Sequence, residues 1–204
     1  MSRRTILVDY PEKELQKYES IEISYQGTFD VILGWDDLWD DSKQLQIILD
    51  DADLCVFYKT KTGEVGGVFP NEYSQKHTEG SLVQFPFIFR MGEERLYPKY
   101  QCEEIIRIAR LHEMKELYIV AIDYHASVEN ETGFGAPVTL ETVGTDPLIK
   151  INYSRNSYEQ GSILLLAVLE EKCDGSLVIT NKSKLMTMSE AFDSIPGFAT
   201  IVTA

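Results

Sequence analysis

The chain has 204 residues, of which 44% are hydrophobic and 11% are aromatic, and its formal net charge is −14. These values predict one folded globular domain over residues 1–204, long enough to bury a sizeable core. A balance this acidic argues against a general nucleic-acid binder, which needs clustered Lys and Arg, and against adhesion to an anionic membrane. It is compatible with divalent cations, basic partners or simple solubility.

The N-terminal MSRRTILVDYPEK has no long apolar stretch, and the longest apolar run, ILLLAVL at 163–169, is too short to span a bilayer. We therefore expect no signal peptide, no direct membrane insertion and a cytoplasmic location. Three cysteines, Cys55, Cys102 and Cys173, lie far apart without CxxC spacing, and the three histidines are scattered too. This pattern predicts reduced, buried thiols and argues against a zinc site.

In the first half of the chain, short apolar segments alternate with polar or Gly-containing turns, which is typical of strands. Residues 6–8, 21–25 and 29–35 are predicted to form three separate strands. EKELQKYES at 12–20 is predicted to be either a short helical turn or a charged loop. DLCVFYKTKTGEVGGVF at 53–69 predicts a β-hairpin that turns at Lys61-Thr62-Gly63.

The second half continues with strands and one ambiguous segment. SLVQFPFIF at 81–89 predicts a strand with Pro86 at an edge or bulge. CEEIIRIARLHEM at 102–114 fits either a helix or a strand. Further strands are predicted at 116–126, 137–143, 148–154, 161–171 and 176–180, and the last twenty residues as a mixed tail that packs on the domain. Together these elements predict an all-β fold, mainly an antiparallel β-sandwich, with at most one or two short helices.

The most acidic stretch of the chain is 36–53, which holds seven aspartates. Within it, Asp50, Asp51 and Asp53 stand directly before an apolar strand. Alternation puts Asp51 and Asp53 on one face of that strand, where two carboxylates repel each other unless a cation or a donor lies between them. Calcium, which takes about six to eight oxygen ligands, is one interpretation. An acidic strand end that faces solvent or is held by backbone N–H groups is the other.

Two tryptophans lie inside this acidic stretch. Trp35 ends an apolar strand and is predicted to be a core residue. Trp39 lies between aspartates and is predicted to be exposed or half-packed, where it would suit a partner contact. The surrounding DDLWDD lacks the D-x-D-x-D-G pattern of an EF-hand.

Catalytic signals are weak. Asp123 and His125 would share a face if their strand continues, but no Ser or Cys nucleophile carries an elbow motif. TGEVGG at 62–67 is not followed by GK[ST], so it predicts a hairpin turn and not a P-loop. We therefore predict that the protein is not an enzyme.

Several segments, taken in order, carry the motifs of one known protein family. Val31-Ile-Leu-Gly-Trp-Asp36 contains LGWD, and Asp51-Ala-Asp-Leu-Cys-Val-Phe-Tyr58 has the form D-x-D-x-C-x-F, followed by a Thr-Gly turn. These segments resemble the LGWD and D-x-D-x-S-x-F-L strands of the TerD family of tellurium-resistance and bacterial stress proteins. Leu117-Tyr-Ile-Val-Ala-Ile122 is similar to a late strand of the family. With Phe134 to Val143 and Ile149 to Glu171, the resemblance covers about residues 29–180.

The resemblance implies a β-sandwich that binds calcium through acidic loops at one end. It also implies a non-enzymatic role in resistance to tellurite and other stresses, with other stress or tellurium-resistance proteins and membrane metal-handling proteins as partners. The metal ligands carried over to this chain are Asp51, Asp53, Glu103 and Glu104. At 90–104, RMGEERLYPKYQCEE lacks the family's Asp-Asn motif and retains only the two glutamates. The alternative is a diverged, metal-free member that acts as a protein-interaction or structural subunit.

Overall fold

The structure is a computed structural model in which residues 11–35, 38–40, 45–47, 52–68, 88–92, 102–108, 111–123, 134, 137–154 and 158–202 are described. These residues are mostly strand, as predicted. The strands are β1 (Glu12–Glu14), β2 (Ser20–Trp35), β3 (Leu38–Asp40), β4 (Leu45–Ile47), β5 (Ala52–Thr60), β6 (Val65–Val68), β7 (Ile88–Gly92), β8 (Cys102–Ile108), β9 (Met114–Asp123), β10 (Val138–Asp146), β11 (Leu148–Tyr153), β12 (Ile163–Glu171) and β13 (Leu177–Met186). Two short helices follow, α1 (Met188–Ser194) and α2 (Phe198–Val202).

Strand β2 belongs to two sheets. Its first residues, 20–23, pair with β13, whereas residues 29–35 pair with β8 and residues 24–34 pair in part with β10. One sheet therefore runs β1-β11-β10-β2-β8-β7 and the other β2-β13-β12-β9-β5-β6. Among the described strands every pair is antiparallel except β1–β11, and β3 and β4 form a separate two-stranded sheet.

Glycines lie where β2 leaves one sheet for the other. The pairing of β2 with β10 shifts at Gly144, and Gly27 lies in the interrupted part of β2. Both have positive φ, 76° for Gly27 and 97° for Gly144, a conformation that a residue without Cβ adopts readily at a bulge. The prediction of separate strands at 21–25 and 29–35 is therefore wrong, because this irregularity bends one continuous strand.

The main hydrophobic core lies between the two sheets. On β5, Leu54, Val56 and Tyr58 belong to this core. The alternate residues Cys55 and Phe57 belong to a second cluster on the other face of the same sheet. Both faces of β5 are therefore buried, which explains why its sequence is apolar without alternation. Trp35 is also a core residue, as predicted.

The C-terminal helices cover the second cluster. Thr187 caps α1 by accepting from the backbone N–H of Glu190, whose side chain accepts in turn from the backbone N–H of Thr187. Phe198 of α2 packs on Phe57 with ring centroids 4.9 Å apart. The predicted mixed tail thus contains two helices, because the capping box starts one and the apolar sheet face holds both.

Other ambiguous segments are now assigned. The segment at 12–20, predicted as a helical turn or loop, begins with β1, which pairs with β11. The segment at 102–114 is strand β8 followed by a 3-10 turn at Leu111–Glu113 and the start of β9. The hairpin predicted at 53–69 is confirmed by β5 and β6.

The cysteine prediction holds in part. Cys55 is buried, as predicted, whereas Cys173 is exposed because it lies in the turn between β12 and β13. Some residues with a predicted role lie outside the described parts of the chain. They are residues 6–8, residues 81–87, His125, and the side chains of Trp39 and Cys102. The described helices include none that is long and apolar enough to cross a membrane.

Candidate metal site

The four predicted metal ligands are described to different extents. Asp51 lies outside the described residues, and only the backbone of Glu103, in β8, is described. Asp53 is the second residue of β5 and is half-buried, and Glu104 of β8 is buried with 7% of its surface exposed. The set of four therefore stays a prediction, and two of its members can be placed in full.

Glu104 joins the two sheets through a buried hydrogen bond. Its Oε2 accepts from the backbone N–H of Leu54 at 2.5 Å. Strand β5 pairs with β6 only from Val56 onward. The carboxylate of Glu104 therefore supplies an acceptor to a part of β5 that lies beyond its described pairing with β6, where a buried N–H without a partner would be costly.

The two placed ligands face different ways. On β8, Glu104 alternates with Ile105 and shares the face of Ile106, which belongs to the core between the sheets. On β5, Asp53 shares the face of Cys55, which belongs to the cluster beneath the C-terminal helices. Spacing within one strand predicts which of its residues share a face, but it cannot predict how two strands face each other.

A further carboxylate, Asp123, lies at the same end of β5. It is the last residue of β9, is 3% exposed, and pairs directly with Ala52. Its backbone N–H donates to the carbonyl oxygen of Ser162 at 2.9 Å. Sequence reasoning considered Asp123 only as a partner of His125. Asp123 could have been found as an aspartate that ends a strand paired with the start of β5. Recognising it in this way requires knowledge of which strands pair and in which register.

The described carboxylates alone do not form a calcium site. Among the residues that the structure describes, no three His, Cys, Asp or Glu side chains lie close enough together to hold a metal ion. Calcium takes about six to eight oxygens, so Asp51 and further oxygens would have to complete a site that includes Asp53. That Asp51 shares the face of Asp53 stays a prediction from the spacing of the two residues.

A different buried carboxylate has an arginine counterion. Asp30 of β2 is 5% exposed and lies directly opposite Arg107 of β8. Arg107 donates from Nε to Oδ1 at 2.7 Å and from Nη2 to Oδ2 at 2.8 Å. Such a bidentate pair compensates for burial of the charge. The contact to Leu54 is of another kind, because there a carboxylate binds a neutral backbone N–H.

Comparisons with known proteins leave the family open. No family model matches the chain, and no curated protein matches it. A solved structure titled "Crystal structure of unknown function protein SAV2460" is similar over 78% of this chain and 93% of that chain, with a TM-score of 0.42 and 9% identity. A likeness this weak carries no argument about fold or function.

Proposed function

We propose that this chain is a diverged, TerD-like binding module of the cytoplasm that performs no catalysis and takes a calcium ion at the acidic end of β5. The observation that supports this most is that three carboxylate residues lie near the same end of β5. Asp53 is the second residue of β5, Asp123 ends the neighbouring β9, and Glu104 contacts Leu54 from the opposite sheet.

Electrostatics favour a cation at this end. The chain carries a net charge of −14, and carboxylates held close together repel each other unless positive charge lies between them. Asp51 and Asp53 would hold the ion, and Glu103 is the further predicted ligand on β8. Glu104, the fourth residue of the predicted set, faces the core and accepts from Leu54, so it would act on the ion through its charge. A bound calcium ion would supply the neutralising charge, and it would stabilise the fold by mass action because the unfolded chain lacks the site.

A second function has its own supporting observation. The carboxylate of Glu104 already accepts a hydrogen bond from Leu54, which is a structural role that needs no metal. In this version the acidic stretch at 36–53 is a surface for a protein partner, with Trp39 as an anchor. The partners would be other stress or tellurium-resistance proteins.

Calcium titration by calorimetry separates the two functions. We expect heat of binding for the unchanged protein, loss of that heat in Asp53→Asn, and a higher melting temperature with calcium than with chelator. Asp193→Asn is the matched control, since Asp193 is an exposed aspartate of α1 and its loss changes the net charge equally. The variant Glu104→Gln keeps an acceptor for the N–H of Leu54 but removes the charge, so it separates the structural role of Glu104 from a role in calcium binding.

The outcomes are distinct. If calcium gives neither heat nor a melting shift in the unchanged protein, the metal site is wrong and the metal-free interaction module is the better proposal. If Asp53→Asn and Asp193→Asn weaken binding equally, calcium is held by the general negative charge and not by Asp53.

A further inference from the structure

A polar cleft of about 290 Å³ opens between the N-terminal segment, the end of β11 and the middle of β13. Its walls come from residues 14–17, from residues 152–154 and from Glu159, and Asn181 and Ser183 lie beneath them. No residue of the candidate metal site belongs to these segments. The cleft is therefore a separate feature of the fold.

A β-bulge builds the floor of the cleft. The pairing of β12 with β13 shifts between Leu165 and Ala167, and this leaves an additional residue in β13 between Asn181 and Lys184. Ser183 lies in this bulge with a φ of 36°. Positive φ is uncommon for a residue with a Cβ and persists where the surroundings enforce it, often beside a functional site. Bulges of this kind redirect side chains out of the regular pleat.

The floor is polar, neutral and internally bonded. Asn181 is 2% exposed and Ser183 is 5% exposed. The hydroxyl of Ser183 donates to Oδ1 of Asn181 at 2.7 Å, and Nδ2 of Asn181 donates to the carbonyl oxygen of Leu15 at 2.8 Å. These bonds tie the N-terminal segment to β13 and hold the floor of the cleft in place.

The walls carry a nearly balanced set of charges. Nζ of Lys17 and the hydroxyl of Tyr153 both donate to the carboxylate of Glu159, at 3.2 Å and 3.1 Å. Glu14 adds a second carboxylate, and Asn152 and Ser154 add neutral donors and acceptors. One ammonium beside two carboxylates leaves little net charge for attracting a strongly charged ligand.

Two exposed aromatic residues are next in sequence to residues of the cleft wall. Tyr18 is 68% exposed and follows Lys17, and Tyr158 is 90% exposed and precedes Glu159. Nζ of Lys17 lies 5.6 Å from the centroid of the Tyr18 ring, so Tyr18 stands beside the wall. An exposed aromatic ring offers a flat apolar face next to polar groups.

We propose that this cleft binds a small neutral polyhydroxylated molecule of the class of a monosaccharide or a cyclic polyol. Each hydroxyl of such a ligand both donates and accepts, which matches the mixture of carboxylate, amide and hydroxyl groups on the walls. Its C–H faces suit an exposed tyrosine ring. The volume of about 290 Å³ lies just below the roughly 300–1,000 Å³ of small-molecule sites, which favours a single sugar ring.

The test is saturation-transfer NMR on the full chain with D-glucose, D-galactose and myo-inositol as probes, followed by titration of the probe that responds best. We expect transfer from the protein to at least one probe. Tyr18→Ala should weaken binding about tenfold, because it removes the flat face beside Lys17. It should leave the melting temperature nearly unchanged, because Tyr18 is 68% exposed.

Phe192→Ala is the matched control, since Phe192 is an exposed ring at 38% on α1, away from the cleft. It should leave binding unchanged. Absence of transfer to all three probes would overturn the proposal, as would equal binding by the Tyr18→Ala, Asn152→Ala and unchanged proteins. Tighter binding of inorganic phosphate or of spermidine than of any probe would also overturn it, because the cleft would then select charge.

Discussion

Two buried side chains in this protein hold the backbone of another segment, and they do so with opposite chemistry. Glu104 accepts from the N–H of Leu54 with an ionisable carboxylate. Asn181 donates to the carbonyl oxygen of Leu15 with a neutral amide. Each joins strands or segments that are distant in sequence, and each is less than a tenth exposed.

The two contacts therefore respond differently to charge. The side chain of Glu104 can carry a full charge, so a nearby cation would act on its contact to Leu54. A buried amide has no such dependence, and the contact to Leu15 is expected to persist across the pH range. This contrast agrees with the two proposals, which place a cation near Glu104 and a neutral ligand above Asn181.

The largest effect is expected from Glu104→Ala. This change leaves the N–H of Leu54 buried without its acceptor, which should lower the free energy of unfolding by about 3 kcal/mol. Glu104→Gln keeps a carbonyl acceptor and should cost about 1 kcal/mol. Urea denaturation of both variants measures the difference. Equal losses would mean that the charge of Glu104, and not its bond to Leu54, stabilises this end of the sheets.

The next largest effect is expected from Asn181→Ala, which removes the donor to Leu15 and the acceptor for Ser183. The loss in free energy of unfolding should be about 2 kcal/mol and independent of pH.

Asn181→Asp replaces the neutral amide of this contact with an ionisable carboxyl. Burial should raise the pKa of the new carboxyl, so this variant should be most stable below its unfolded pKa and lose stability as pH rises through the folded pKa. Denaturation at several pH values checks both, and a flat profile for Asn181→Asp would contradict the burial of this position.

The sequence predicts strands well where their pattern is local. The hairpin of β5 and β6 follows from the apolar arm and the Thr-Gly turn, and β12 follows from ILLLAVL at 163–169. The sharing of β2 between two sheets does not follow, because it depends on the irregular pairing around Gly27 and Gly144. The capping box of α1 was readable in the sequence from Thr187 and Glu190, three residues apart.

The candidate site divides in the same way. Asp51 and Asp53 are predicted to share a face from their spacing alone. The approach of Glu104 to Leu54 and the position of Asp123 beside Ala52 depend on which strands pair and in which register. These long-range relations are set by packing of whole sheets and leave no signal in a single stretch of sequence.

A smaller effect is expected where a carboxylate makes the same kind of bond as Glu104 but in solvent. Glu190 accepts from the backbone N–H of Thr187 at 2.8 Å in the exposed capping box. Thr187→Ala should lower the free energy of unfolding by about 1 kcal/mol, because it removes the side-chain cap.

The pH dependence of this cap follows from its hydrogen bonds. Bonds from the backbone and side chain of Thr187 lower the pKa of Glu190 below its ordinary value of 4.5. The contribution of Glu190 is therefore present above pH 4.5 and is lost as pH falls through the lower folded pKa. Thermal melts of Glu190→Gln and the unchanged protein should differ at neutral pH and converge in acid. A difference that persists in acid would assign the effect to something other than the charge.

The smallest net effect is expected from Ser183→Gly, because two contributions oppose each other. Glycine relieves the strained φ of 36° at the bulge, which should raise the free energy of unfolding by about 1 kcal/mol. Loss of the hydroxyl removes the bond to Asn181, which should lower the free energy of unfolding by about 1 kcal/mol. Ser183→Ala loses the bond and keeps the strain, so it should be less stable than Ser183→Gly by the cost of the left-handed backbone. Urea denaturation of the pair measures that cost directly. Equal stabilities would mean that the bulge holds Ser183 without strain, and the neutral floor of the cleft would then rest on the hydrogen bonds of Asn181 alone.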